Sequence, residues 1–183
     1  VVGANDIGTS HAQVISIVRD KIRLEDRAAK AEVFKPQLSE LDQKIGVISI
    51  PGFYNNLADD VKKLLVELKE SSVDGIIIDL RGNGGGSLQE ATLLTGLFID
   101  SGPVVQIREG DGKVSVSQDN DGVSYYEGPL TVMVDRYSAS ASEIFAAAMQ
   151  DYGRALIVGE QTFGKGTVQQ HRGLGRIYDM FDN

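Results

Sequence analysis

From residue 45 onward, short apolar runs alternate with longer segments whose apolar positions recur at helical spacing. "KIGVISI" (44–50) predicts a strand, and "NNLADDVKKLLVELKESS" (55–72) sets Leu57, Val61, Leu64, Leu65 and Leu68 on one helical face behind an asparagine cap candidate. "VDGIIIDL" (73–80) is a nearly unbroken apolar run, as expected of a strand covered on both faces. The glycine cluster "RGNGGG" follows it and leads into a helix candidate, "SLQEATLLTGLFI" (87–99). "VVQIRE" (104–109) and "KVSVSQ" (113–118) flank "GDG" as a hairpin. "PLTVMVD" (129–135) predicts a buried strand, "SEIFAAAMQDY" (142–152) a helix and "RALIVGE" (154–160) another strand. This alternation of strand and helix predicts an α/β core over 45–183.

The chain before that core reads differently. Residues 12–24 alternate apolar and polar in their first half after the turn-rich "GANDIGTSH", which predicts the second arm of a hairpin within 1–20. Residues 21–44 are charged and predict a connector of mixed order.

Composition narrows the chemistry. The 183 residues are 42% hydrophobic and 24% charged, an ordinary globular balance that predicts a folded protein. A net charge of -8 disfavours a phosphate backbone as partner, so nucleic acid is set aside. The absence of cysteine excludes disulfides, thiolate zinc sites and a cysteine nucleophile. No apolar run is long enough to cross a bilayer, and the opening "VVGANDIGTS" does not have the pattern of a signal peptide. An exported protein would have its signal elsewhere or removed.

Three segments carry candidate chemistry. Gly82, Gly84, Gly85 and Gly86 stand between a buried strand and a helix start, where exposed backbone N–H groups can hold negative charge. A dinucleotide fingerprint fails there because Ser87 stands at its last glycine, leaving an oxyanion hole as the other use. "GEQTFGKGT" (159–167) imitates a phosphate-binding loop, but Gly166 replaces the magnesium-binding hydroxyl residue and "TVQQHR" (167–172) reads as a strand rather than a helix. A solvated loop lysine is the plain reading of Lys165. In "YSASASE" (137–143), Ser140 and Glu143 fit a capping box, so Ser140 is equally a helix cap or an exposed nucleophile at a strand-to-helix junction. His11 and His171 are poorly placed to serve as its base. A lysine can do so if burial disfavours its charged form, and Lys165 between two glycines is the candidate.

"VDRYSASASEIFAAAMQDYGRALIVGEQTFGKGTVQQ", with "IDLRGNGGG" upstream, closely resembles the tail-specific proteases, or C-terminal processing peptidases, from about Ile22 to the end. The resemblance is closest to the periplasmic members of Gram-negative bacteria. It implies a crotonase/ClpP-like α/β core and a serine protease with a Ser–Lys dyad, Ser140 as nucleophile and Lys165 as base. It further implies roles for Asp151 and for Gln169, which would orient the lysine, and oxyanion donors at the N–H of Ala141 and of a cluster glycine, Gly85 being favoured. Asp151 lies eleven residues beyond Ser140, about 16 Å along a helix, which argues for an indirect role. The implied partners are proteins with apolar C-terminal tails and an adaptor protein; the implied location is the periplasm, and no cofactor is implied.

Relatives carry a PDZ domain, of which residues 1–20 would be the last hairpin, and continue beyond "GRIYDMFDN", so the chain reads as a fragment. Gln161 replaces the family's proline. Two other readings stand beside the protease: a non-catalytic binding or assembly module in which Ser140 only caps a helix, and a crotonase-type acyl-CoA enzyme.

Overall fold

The computed structural model describes residues 28–36 and 43–169. The expected N-terminal hairpin, both histidines and the second half of "TVQQHR" lie outside these residues.

Among the described residues ten elements follow in order: β1 (Lys30–Phe34), β2 (Ile45–Ser49), α1 (Leu57–Glu70), β3 (Gly75–Asp79), α2 (Leu88–Gly96), β4 (Gly102–Arg108), β5 (Val114–Asp119), β6 (Leu130–Val134), α3 (Ala141–Asp151) and β7 (Leu156–Gly159). A five-stranded sheet has the order β1-β2-β3-β6-β7, and β4 with β5 forms a separate hairpin. Strands β2, β3, β6 and β7 are mutually parallel, and β1 is antiparallel to β2.

The parallel strands are apolar because neighbours cover them. Ile48, Ile76, Ile78, Val132 and Val134 are buried together with Leu57, Val61, Leu65 and Leu68 of α1 and Phe145 and Met149 of α3. Phe98 and Phe145 meet edge-on with centroids 5.8 Å apart, so truncating either would cost about 3–5 kcal/mol.

Two sequence expectations change. The segment 21–44, expected as a connector, contributes β1, whose Lys30 pairs with Ser49 and whose Phe34 pairs with Ile45. β1 is an edge strand, mostly exposed and charged at Lys30 and Glu32, so it lacks the apolar signature that marks the buried strands. Asn56 does stand at the N-cap of α1, but in a left-handed conformation without a side-chain cap. Glu90 from α2 does that work instead, accepting from Asn56 N–H at 2.7 Å and Ala58 N–H at 3.1 Å. A long-range cap of this kind leaves no local signal in sequence.

The topology decides where a site can form. β2, β3, β6 and β7 run in one direction as neighbours, so the segments that follow them emerge at one edge of the sheet. Those segments are 50–56, the glycine cluster, the serine segment and the lysine loop. Ligands of open α/β sheets bind at the carboxyl ends of the strands for this reason.

Candidate active site

The three alternating serines have different environments. Ser138 and Ser142 are fully buried. Ser138 Oγ donates to Leu80 C=O at 2.8 Å and accepts from Asp135 N–H at 2.9 Å, while Ser142 Oγ donates to Asn83 C=O at 2.9 Å. Both hydroxyls serve to fasten the serine segment to the segment after β3.

Ser140 sits at the N-cap of α3 with φ 58° and ψ -113°. A non-glycine residue in that region costs of the order of 1–3 kcal/mol, and the surrounding bonds must hold it there. Ala139 N–H donates to Asn83 C=O at 3.0 Å on one side, and Glu143 accepts from Ser140 N–H at 2.7 Å on the other. A sharp, strained turn between strand β6 and helix α3 presents Ser140 at the helix N-terminus, where partial positive charge favours a developing anion.

Asn83 is the hub beneath this turn and was not singled out in the sequence. It is fully buried, its Nδ2 donates to Ile50 C=O at 2.7 Å, and its Oδ1 accepts from Gly85 N–H at 2.9 Å. Gly85 has φ 96°, and a Cβ there would fall 2.6 Å from Ala139 O and 2.8 Å from Ser140 Cβ. The expectation of Gly85 as an anion donor therefore meets an amide already committed to Asn83. The N–H groups of Gly86 and Ala141 have no hydrogen-bond partner among the described residues. Asp135 closes the other side: its carboxylate accepts from Gly82, Tyr137 and Ser138 N–H groups. The Gly82 N–H, foremost among these donors, holds its pKa below the ordinary aspartate value.

Glu143 joins the lysine loop to the serine. Besides Ser140 N–H, its carboxylate accepts from Gly164 N–H at 2.5 Å and Lys165 N–H at 2.9 Å. Burial pushes the Glu143 carboxyl up, but the Gly164 and Ser140 N–H groups, the Thr162 hydroxyl and the Lys165 N–H outweigh it and hold the pKa below the ordinary glutamate value. Phe163 N–H adds a bond to Ser138 C=O at 3.0 Å. The capping-box pattern had flagged Glu143, though only as a partner of Ser140.

Ser140 and Lys165 line one cavity of about 810 Å3 with Leu88, Ile144 and β4. Gly86, Ala141 and Gln169 join them around a small adjoining hollow. Lys165 is exposed, which differs from the burial expected of a neutral base, and among the described residues no hydrogen bond joins it to Ser140. Gln169 Nε2 donates to Thr167 Oγ1 at 3.1 Å rather than orienting the lysine. Residues 167–169 lie outside any strand, in contrast to the strand expected from "TVQQHR". Asp151 is exposed at the far end of α3, away from the hydroxyl. Among the described residues no acidic or histidine cluster could hold a metal, and no helix is long and apolar enough to cross a membrane.

The sequence profile of peptidase family S41 matches residues 44–179, most of the chain. The chain belongs to peptidase family S41. It is 54% identical over 169 residues to the tail-specific protease of Haemophilus influenzae, an alignment covering 92% of this chain and 24% of that protein. A probable CtpA-like serine protease of Staphylococcus haemolyticus is 33% identical over 93% of this chain and 38% of its own length. Among solved structures, the photosystem II D1 C-terminal processing protease superposes with a TM-score of 0.69 at 31% identity, covering 78% of this chain and 38% of that one. This S41 chain thus spans about a quarter to two fifths of the length of these relatives.

Proposed function

We propose that this S41 chain carries the active site of a serine endopeptidase of the tail-specific type, with Ser140 as nucleophile and Lys165 as general base. The observation that carries the reading is the contrast among the three serines. Ser138 and Ser142 are buried and fully engaged, whereas Ser140 is held in a strained conformation on the wall of a cavity that Lys165 shares. The 54% identity to a tail-specific protease supports the same reading.

In this mechanism Ser140 Oγ attacks the scissile carbonyl carbon as neutral Lys165 Nζ removes its proton. The tetrahedral oxyanion collapses, and Lys165 returns a proton to the leaving amine, giving an acyl-Ser140 ester. Water, deprotonated by the same lysine, then releases the acid and frees Ser140. The oxyanion is met by Ala141 N–H, at the positive end of α3, and by an N–H of the glycine cluster. The Gly86 amide has no partner among the described residues and suits this task; Gly85 would first have to exchange its bond to Asn83. Catalytic hydrogen bonds commonly tighten only when substrate binds, so Lys165 is expected to reach Ser140 in the occupied site, with Gln169 then released to orient it. Asp151 acts away from the hydroxyl. Substrates are proteins with apolar C-terminal tails, presented in the periplasm, directly or through an adaptor, by parts of the full-length protein.

The test is covalent. A fluorophosphonate probe should label the full-length protein on Ser140 alone, as mapped by peptide mass, and Lys165→Ala should suppress labelling while leaving the fold intact. Labelling at Ser138 or Ser142, or full labelling of Lys165→Ala, would overturn the assignment.

A further inference from the structure

We infer that substrate docks as an added β-strand on the outer edge of β4 and runs along α3 toward Asp151, so that recognition beside the scissile bond is mainly by main chain. The inference rests on the proposed protease reading of the same cavity.

Among the described residues β4 pairs with β5 and with no other strand. Glu109 N–H donates to Lys113 C=O at 2.8 Å, and the register continues as Arg108↔Val114, Ile107↔Ser115 and Gln106↔Val116. In an antiparallel ladder, directly opposed pairs alternate between bonded and non-bonded. Glu109 and Ile107 therefore turn their backbone groups toward β5, and Arg108 and Gln106 turn theirs outward. Among the described residues no strand meets these outward N–H and C=O groups, and a row of this kind is what an extended peptide completes.

The outward edge faces the candidate site. The cavity that holds Ser140 and Lys165 is lined by consecutive residues 105–110 and by no residue of β5. A further hollow of about 360 Å3 shares Val105 and Gln106 with it and ends at Asp151 and Tyr152. Tyr152 Oη donates to Pro103 C=O at 2.8 Å, which anchors the start of β4 to the far end of α3. The two hollows thus form one path between β4 and α3. Its length is set by the eleven residues from Ser140 to Asp151, about 16 Å as helix, or about five residues of extended substrate.

The charge on that path supports the occupant. Asp151 is an exposed carboxylate at its end, so a basic side chain about five residues from the scissile bond would be favoured there. This also gives Asp151 a part to play that does not require contact with Ser140.

Three measurements on the full-length protein test the inference. Peptide substrates N-methylated at successive positions should lose cleavage alternately: kcat/KM falls about 5- to 10-fold where the amide faces β4 and stays within twofold where it faces away. Gln106→Pro, a change that an outer edge tolerates, should raise KM about as much with kcat within twofold and Ser140 still labelled. Asp151→Lys should exchange a preference for lysine at about the fifth position for one for glutamate. Uniform tolerance of N-methylation by an enzyme that cleaves and is labelled on Ser140 would overturn the docking edge and leave the protease reading standing. Absence of any label on wild-type Ser140 would overturn the protease reading itself.

Discussion

Glu143 offers the sharpest perturbation, because one carboxylate ties the Ser140 backbone to the lysine loop. Its Oε2 accepts from Ser140 N–H at 2.7 Å and Lys165 N–H at 2.9 Å, and its Oε1 from Gly164 N–H at 2.5 Å. Glu143→Gln would keep one oxygen. The amide can retain the Oε2 pair and lose Gly164, or the reverse, so one or two charge-assisted bonds disappear. Such bonds are worth about 1.5–3 kcal/mol each. The loop amides are exposed and can turn to water, which reduces the net loss to about 1–2 kcal/mol. That energy corresponds to a fall in kcat/KM of about 5- to 30-fold. Glu143→Ala removes the three N–H acceptances and the bond from the Thr162 hydroxyl, and should cost about 100-fold. The assay pairs cleavage kinetics with amide hydrogen exchange at Gly164 and Lys165, since a positioning role requires that protection and rate fall together.

The pH dependence of the same tie has a defined sign. The Glu143 carboxyl is held below its ordinary value in the folded protein, so its stabilisation is fully present above the unfolded value, about pH 4.3, and is lost as pH falls through the folded one. Protection at Gly164 and Lys165 should be flat from neutral pH down to that region and then decline. Glu143→Gln with wild-type kcat/KM and unchanged amide protection would refute the reasoning.

Ser138→Ala should destabilise by about 1–3 kcal/mol in urea unfolding, because it strips partners from Leu80 C=O and Asp135 N–H in a buried site, while Ser140 labelling persists in the folded fraction. Gly85→Ala should abolish labelling of Ser140, since its φ of 96° and the approach of Ala139 O and Ser140 Cβ leave no room for a methyl group; a labelled variant would show that the turn adapts. Asn83→Ala should be worse than either in stability, about 2–4 kcal/mol, because Ile50 C=O and Gly85 N–H lose their buried partner together.

The core strands and helices were legible because their periodicity reflects burial: "GIIID" at β3 is apolar because its side chains enter the core with those of α1 and α3. β1 was not, since an exposed edge strand needs no apolar face and its identity lies in the register with β2. At the candidate site, Ser140 and Lys165 could be picked out by motif, and the strand order brings their segments to one cavity. Asn83 could not be picked out, because its role depends on Ile50 and the serine segment, with Ala139 and Ser142, being brought to the loop it shares with Gly85. Gly85 was expected as a donor from the family resemblance, whereas its amide bond to Asn83 is a property of the folded loop alone. Gln169 and Asp151 were likewise placed by motif, and neither bonds to Lys165 or Ser140 among the described residues.

The central claim is that Ser140 and Lys165 together perform peptide cleavage. Its most direct test compares digestion of an unfolded protein bearing an apolar C-terminal tail by the full-length wild type, Ser140→Ala, Lys165→Ala and Lys165→Arg, with circular dichroism to verify folding. Cleavage is expected of the wild type and of none of the three variants, arginine included, because a guanidinium cannot give up its proton. Cleavage retained by Ser140→Ala or by Lys165→Arg would contradict it.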